Sequence, residues 1–363
     1  MSIKSPKVSV IILASHDNHY LLETIDSVQK QTFADLEISI CHSGESPYLV
    51  EWFEAQTDRR LKLSIEADLN PIHVLNLGIQ EAKGEYIAFL QADDLWHPNK
   101  LQKQVFLLER YPTVGLIHSW LNVISEARKP IGKTIKNQLY GAIESEILER
   151  NQIGFSSTIV RQPCFYMVGL FNPNLQINFD WDMWIRLSRC YQFMTMAEPL
   201  VSQRKRAERD RDSWLDAEKE YQLIIEKIYQ NVPEKLLPLK ARSYGYASID
   251  LAWQVLQHKD ADPAIAYHYC RQALEHCPRV SFSREFLQLS IAVASLYWSK
   301  SDRYLKLLAT LRAIGKWLQV KTKKYRVSAR FLLSWILQEQ LNKEKEDNRL
   351  RKKHEFFVRS NGE

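Results

Sequence analysis

The sequence predicts an α/β domain with a doubly wound, mostly parallel sheet, followed by an all-α C-terminal domain. Two patterns support this prediction. In the first half, short runs rich in β-branched and aromatic residues alternate with segments of helical periodicity, which is typical of a parallel sheet covered by helices on both faces. After about residue 204 the chain changes to long helical patterns. At 363 residues it exceeds one typical hydrophobic core, so two domains are expected.

The first four expected strands are residues 7–13, 36–41, 61–67 and 85–91. Between them lie helical segments: first the apolar positions from Leu21 to Val28, then residues 48–55, and then those from Ile72 to Ala82. Ligands of such sheets bind beyond the carboxyl ends of the strands, where the strand order switches. A functional site is therefore expected in the loops that follow these strands.

The expected domains are a sheet domain over residues 1–204, a helical domain over 205–340 and a charged tail over 341–363. The N-terminal apolar run is interpreted as a buried first strand rather than a signal peptide, because it continues into the strand–helix alternation. From Gln319 onward there are 12 Lys and Arg against 6 Asp and Glu, which accounts for the whole net charge of +6. This basic tail is interpreted as a solvated helix end, with adhesion to an anionic membrane surface as the alternative.

Composition excludes several classes. An apolar content of 45% supports a folded chain rather than a disordered one. The five cysteines form no CxxC pair, so we expect a reducing, cytoplasmic compartment and no zinc site. The longest apolar stretch that could be considered as a membrane span, residues 286–299, has 14 residues. A membrane-spanning helix needs about 20. We expect no nucleic-acid partner, and contact with the inner face of a membrane would be peripheral.

Asp93 and Asp94 stand side by side directly after the fourth expected strand, in the stretch FLQADDLWHPNK. Two adjacent carboxylates repel each other, and solvent, a proton or a cation relieves the repulsion. One interpretation is a solvated loop next to a helix start, with Pro98 at the first helical position. The other is a site for a cation, since the end of a strand is where a ligand is expected.

Three segments, in this order, resemble family 2 type glycosyltransferases of the GT-A fold, over roughly residues 5–202. They are VSVIILASHDNHYLLETIDSVQKQTFADLEI, NLGIQEAKGEYIAFLQADDLWHPNKLQKQ, and SSTIVRQPCFYMVGLFNPNL followed by FDWDMWIRL. The resemblance implies an inverting, metal-dependent enzyme that moves a sugar from a nucleotide-sugar donor to a saccharide or lipid-linked acceptor. The implied cation is Mg²⁺ or Mn²⁺, which would neutralise the charge of the diphosphate leaving group.

The resemblance also implies roles for individual acids. Asp93 and Asp94 match the metal and donor motif, without indicating which of them contacts the metal. Asp180 matches the general base that takes the proton of the acceptor hydroxyl; the alternative is that it only caps a helix. Asp182, two residues away, would not share the same helix face. We interpret Trp181 and Trp184 as core residues, and Arg186 as a residue that orients a carboxylate.

The chain departs from the family pattern at the donor site. His42 and Ser43 stand where an Asp pair is usual, Leu75 stands where an Arg is usual, and Gln91 replaces the first Asp of the metal motif. His42 and Gln91 are therefore candidate donor-binding residues, His42 by stacking on the base. The alternative function is a catalytically silent GT-A domain that acts as a binding or scaffold protein. A sugar nucleotidyltransferase is disfavoured, because no Gly-rich loop follows the first strand.

Overall fold

The alternating pattern of the first hundred residues folds into parallel strands joined by helices. In this computed structural model, which describes residues 5–15, 19–66, 70–131, 134–205, 213–258 and 262–299, the strands are β1 (Val8–Ser15), β2 (Leu36–Ser43), β3 (Leu61–Glu66) and β4 (Tyr86–Gln91). The helices between them are α1 (Leu21–Gln29), α2 (Pro47–Glu54) and α3 (Pro71–Glu81). These strands and helices confirm the expected alternation.

Local sequence explains where the helices begin. Ser46 accepts a hydrogen bond from the backbone N–H of Leu49 at the start of α2, and Asn70 accepts one from His73 at the start of α3. A proline follows each of these caps, and its missing N–H costs nothing at the first helical position. The sequence thus specifies both helix starts.

Helix α3 packs closely on the sheet at Gly78. A Cβ atom at this position would lie 2.4 Å from Sγ of Cys41 on β2, so the helix can approach this closely only with glycine there. Cys41 is fully buried, and burial raises the pKa of its thiol to about 12. Cys41 is therefore a packed residue rather than a reactive one.

The second half of the sheet is mixed. It contains β5 (Leu95–Trp96), β6 (Val114–Ile124), β7 (Tyr140–Gly141), β8 (Ile159–Arg161) and β9 (Gln192–Arg204). The helices of this part are α4 (Lys100–Arg110), α5 (Glu144–Glu149), α6 (Pro163–Val168) and α7 (Phe179–Ser188).

The strand order is β3-β2-β1-β4-β8-β6-β9-β5, with β7 paired to β9. β3, β2, β1 and β4 run parallel, β8 is antiparallel to both β4 and β6, and β6 is parallel to β9. The switch in strand order lies at β1, between β2 and β4, so the carboxyl ends of these strands are where a ligand is expected. The predicted class, a mostly parallel α/β sheet, is confirmed.

An aromatic cluster packs one side of the sheet. Phe89 of β4 contacts Phe155, Phe165, Phe171 and Trp184, with ring centroids 5.0 to 6.5 Å apart. Trp184 is fully buried, and Trp181 is 1% exposed, so both are core residues as expected. The burial of such large rings anchors α7 firmly to the sheet.

The C-terminal part is helical wherever the structure describes it. It contains α8 (Ser213–Tyr229), α9 (Leu239–Gln257), α10 (Pro263–His276) and α11 (Arg284–Ser299). This confirms the all-α class of the region. The chain divides into two compact units after Ala247, so α8 belongs to the same unit as the sheet.

The domain boundaries given by the sequence stay predictions. The basic, charged tail, for which membrane adhesion was the alternative interpretation, lies outside the described residues. Within the described ranges, none of the helices has the length and apolar character needed to pass through a bilayer.

Candidate active site

Asp180 and Gln91 lie in the wall of one pocket of about 410 Å³. We call it the Asp180 pocket. It joins the end of β4 to residues that precede β8 and to the first turn of α7. Its lining residues are Gln91, Leu121, Ile135, Lys136, Asn137, Arg150, Asn151, Gln152, Ile153, Gly154, Phe155, Ser156, Asp180 and Gln203.

Asp180 is the second residue of α7, and the N-cap of this helix is Asn178. Asp180 is half-buried, and burial raises the pKa of its carboxyl to about 7. The side-chain amide of Asn151 donates to Oδ1 of Asp180 over 3.1 Å, which partly offsets this rise by stabilising the charged form. A carboxylate with a pKa near neutral is suited to accept a proton at physiological pH.

Asp182 points away from this chemistry. It is buried, and Arg186 donates to its Oδ2 from Nε at 2.9 Å and from Nη2 at 2.8 Å. Arg186 also donates to the main-chain oxygens of Val168 and Leu170, at 2.6 and 2.9 Å. The expectations that only one acid of the pair faces the pocket, and that Arg186 orients a carboxylate, are therefore confirmed.

Asp94 is buried beside the pocket, and its hydrogen bonds stabilise the surrounding turn. Its Oδ2 accepts a hydrogen bond of 2.5 Å from Oγ of Ser156, and its Oδ1 accepts one of 3.0 Å from the backbone N–H of Arg204. The same Ser156 oxygen accepts from the backbone N–H of Gln91 at 3.1 Å. Ser156, which is part of the pocket wall, thus links Asp94 to Gln91, a second residue of that wall.

A short 3-10 turn, Phe155–Ser157, presents Ser156 to Asp94. Trp96 is buried and donates from its indole nitrogen to the main-chain oxygen of Ser156 at 2.8 Å. Gln104 of α4 donates to the main-chain oxygen of Ser157 at 2.9 Å. The indole of Trp96 in β5 and the side-chain amide of Gln104 in α4 therefore hold this turn in place.

Arg204 fastens the Asp93–Asp94 turn from the end of β9. Its side chain is fully buried, its Nε donates to the main-chain oxygen of Asp93 at 3.0 Å, and its guanidinium forms an ion pair of 2.8 Å with Glu23. The guanidinium also lies 3.9 Å from the ring centroid of Tyr20. In the sequence Arg204 looks like the start of a solvated basic run, so this role was missed; no signal in the sequence separates it from the arginines that follow.

Asp93 and Asp94 do not line the Asp180 pocket, although Asp94 is one hydrogen bond from its wall. Within the part of the chain that the structure describes, no three His, Cys, Asp or Glu side chains converge as a metal cage. One or two carboxylates suit a hard cation that takes most of its other ligands from phosphate oxygens and water, as Mg²⁺ commonly does. The residues present thus fit a cation that arrives with a diphosphate, not one held by protein ligands alone.

His42 lies in a different pocket. This second pocket, of about 310 Å³, is lined by His19, Leu21, Leu22, His42, Ser46, Tyr48 and Leu49, which follow or end β1 and β2. We call it the His42 pocket. The Nδ1 atom of His42 lies 3.0 Å from the main-chain oxygen of Gly44, whose φ of 94° turns the chain at the end of β2. The predicted site residues thus fall into two pockets and a buried turn, all near the carboxyl ends of β1, β2 and β4.

Solved structures share this fold, a GT-A-like sheet followed by helices. The fold is similar to that of TarS residues 1–349 from S. aureus, with a TM-score of 0.54, 15% identity, and coverage of 89% of this chain and 94% of that one. It is also similar to the mannosyltransferase PcManGT from Pyrobaculum calidifontis, solved in complex with GDP-Man and Mn²⁺, with a TM-score of 0.52 and 16% identity, covering 82% and 89% of the two chains. The site and the fold together define a GT-A-type protein.

The family follows from the sequence comparisons. Residues 9–167 match the model of glycosyl transferase family 2. The chain is also 28% identical over 221 residues to the amylovoran biosynthesis glycosyltransferase AmsB of Erwinia amylovora, covering 55% of this chain and 70% of that protein. Residues 9–167 therefore form a glycosyl transferase family 2 region, as the resemblance of the motifs predicted, and the protein is a glycosyltransferase.

Proposed function

We propose that this glycosyltransferase moves a sugar from a nucleotide-sugar donor to a saccharide acceptor with inversion at the anomeric carbon, and that Asp180 is the general base. One observation carries the proposal: Asp180 shares a pocket with Gln91 and Ser156, which contact the end of β4 and the Asp93–Asp94 turn. The proposed base therefore lies in a cavity whose wall, at Ser156, is one hydrogen bond away from the Asp93–Asp94 turn.

The reaction assigns a distinct task to each side of the Asp180 pocket. The carboxylate of Asp180 takes the proton of the acceptor hydroxyl, and the freed oxygen pair attacks the anomeric carbon as the bond to the diphosphate breaks. Attack from the side opposite the leaving group inverts the configuration. Asn151 holds the carboxylate in place, and the side chains of Lys136 and Arg150 make the pocket cationic around the charged leaving group.

Asp93 is our proposed ligand for the cation, with Asp94 as the residue that fixes the turn. Both carboxylate oxygens of Asp94 already accept hydrogen bonds from protein donors, which leaves it poorly suited to a metal. When bound, Mg²⁺ or Mn²⁺ would supply positive charge for the departing diphosphate. The Mn²⁺ bound with GDP-Man in the similar mannosyltransferase PcManGT supports a divalent cation.

The His42 pocket is our proposed site for the nucleoside end of the donor. It lies at the carboxyl ends of β1 and β2, the strands that flank the switch in strand order. His42, His19 and Tyr48 provide rings there in place of the acidic pair that is usual in the family. AmsB, whose name assigns it to amylovoran biosynthesis, supports a saccharide acceptor; a lipid-linked saccharide is the second form this acceptor can take.

A donor panel tests this function. UDP-glucose, UDP-galactose, UDP-N-acetylglucosamine and GDP-mannose are each added with and without Mn²⁺, and the melting temperature of the protein is followed. We expect at least one of them to raise the melting temperature only when Mn²⁺ is present, and expect this rise to disappear in the Asp93→Ala, Asp94→Ala double variant. A panel without any Mn²⁺-dependent rise would count against nucleotide-sugar binding.

A further inference from the structure

Helix α8 holds the backbone immediately before Asp180. The carboxylate of Glu220 accepts hydrogen bonds from three consecutive backbone N–H groups, those of Gln176 at 2.6 Å, Ile177 at 3.0 Å and Asn178 at 2.8 Å. Asn178 is the N-cap of α7, and Asp180 is the second residue of that helix. One side chain of the helical region therefore binds the turn from which α7 begins.

This contact lies at the start of a helix that has no side-chain cap of its own. The first backbone N–H groups of any helix lack intrahelical partners, and a side chain at the N-cap commonly satisfies one of them. The side chain of Asn178 makes no such capping hydrogen bond. Glu220 supplies negative charge at the same end of the helix instead, where the helix dipole favours an anion and where hydrogen bonds to a charged acceptor are strong.

The next residue of α8, Tyr221, contacts Trp181, which follows Asp180 in the chain. Tyr221 packs its ring edge to face against Trp181, with ring centroids 5.7 Å apart. Trp181 is 1% exposed and donates from its indole nitrogen to the main-chain oxygen of Ile147 at 2.7 Å. Asp180 thus lies between two points, residues 176–178 and Trp181, that adjacent side chains of α8 contact.

We infer that Glu220 is a positioning residue for the reaction: by fixing residues 176–178 it sets where α7 begins and how the Asp180 carboxylate faces Asn151 in the pocket. The inference rests on the proposed role of Asp180 as the base. It makes α8, which by sequence belongs to the helical half, a working part of the transferase site.

A purely structural role for Glu220 makes a different prediction. Loss of general stability would lower the amount of folded protein without changing the properties of the molecules that stay folded. Loss of positioning would lower kcat and leave the KM for the donor unchanged, because the three backbone N–H groups that Glu220 binds belong to residues outside the lining of both pockets. A second readout is local: the three amide hydrogens that Glu220 binds would exchange faster with solvent.

The test compares three variants of the full chain by hydrogen exchange and kinetics. Glu220→Ala removes both acceptor oxygens, and Glu220→Gln keeps one of them. Glu226→Ala is the matched control on the same helix, since Glu226 is exposed and bonds Lys240 and Tyr244 instead. Kinetics use whichever of UDP-glucose, UDP-galactose, UDP-N-acetylglucosamine and GDP-mannose the wild-type protein turns over.

For Glu220→Ala we expect exchange at residues 176–178 to rise about tenfold or more, and kcat to fall roughly 10- to 100-fold with the donor KM within about twofold. Glu220→Gln should lie between this variant and the wild type, and Glu226→Ala should match the wild type in both readouts. Unchanged exchange at the three amides, unchanged kcat, or equal losses in Glu226→Ala would overturn the inference. If the wild type turns over none of the donors, the proposed function fails, while the exchange comparison still decides whether Glu220 fixes the turn.

Discussion

The side-chain amide of Asn151 donates to Oδ1 of Asp180 over 3.1 Å, inside a pocket that Gln91 and Ser156 also line. This hydrogen bond stabilises the charged carboxylate, whereas burial favours its protonated form. The balance places the pKa of Asp180 at about 7. The charge of this one side chain is therefore sensitive to changes in pH and in its neighbours.

The first prediction concerns the pH dependence of turnover. A base must be deprotonated to act, so kcat should rise with pH and level off above a pH of about 7, the pKa of Asp180. Asn151→Ala removes a hydrogen bond to the charged form and should move this limb of the profile to higher pH. Profiles of kcat from pH 5 to 9 for both proteins check this, and an unmoved limb in Asn151→Ala would show that another group controls it.

A second prediction concerns stability. The pKa of Asp180 is raised in the folded state, from 3.8 to about 7, so between these values the folded protein binds more protons than the unfolded chain and its stability falls as the pH rises. Asp180→Asn removes this cost and should stabilise the protein at pH 8. With solvent screening of a half-buried group, we expect a gain of about 1–2 kcal/mol.

Urea denaturation at pH 4 and pH 8 measures this gain. At pH 4 Asp180 is protonated in the folded protein, and the difference between Asp180→Asn and the wild type should be much smaller than at pH 8. A gain that does not change with pH would show that Asp180 is not held with a raised pKa.

Third, the two adjacent acids should have different roles, with Asp93 as the metal ligand and Asp94 as the residue that stabilises the turn. Asp93→Asn should abolish Mn²⁺-dependent binding of the nucleotide sugar, because it removes the charge of the proposed metal ligand. Asp94→Asn weakens the hydrogen bonds from Ser156 and Arg204 and should cost about 1–3 kcal/mol of stability. Titration calorimetry and urea denaturation on both variants measure these effects. Mn²⁺-dependent binding that survives in Asp93→Asn would contradict the division of roles.

Fourth, Arg204 should contribute far more to stability than Arg128, which forms an ion pair with the same residue, Glu23. Its side chain is fully buried and bonds Asp93, Glu23 and the main chain of Glu126, and Lys cannot reproduce this planar arrangement. Arg204→Lys should cost about 2–4 kcal/mol.

Arg128→Lys is the matched control for Arg204. Arg128 pairs with the same Glu23 but is 57% exposed, so its loss should cost less than about 1 kcal/mol. Urea denaturation of the two variants in parallel makes the comparison. Similar small losses in both would mean that the buried guanidinium does not hold the Asp93–Asp94 turn.

Much of this architecture could be predicted from sequence because the relevant signals are local. Alternating periodicity gave β1 to β4 and the helices between them, and the position of Asp93 after a strand indicated the site. Asp182 and Arg186 are one helical turn apart, so their pairing follows from spacing alone. The roles of Ser156, Arg204 and Glu220 depend on contacts between residues 42 to 181 positions apart, and no local pattern encodes such contacts.

The most direct test of the central claim is the turnover number of Asp180→Asn with the donor that the panel identifies. Asparagine keeps the shape and the polarity of the side chain but cannot take a proton. The account predicts that donor affinity, measured by calorimetry with Mn²⁺, stays at the wild-type value while kcat falls by roughly 10² to 10⁴. A variant that binds the donor and transfers sugar at the wild-type rate would contradict the assignment of Asp180 as the base.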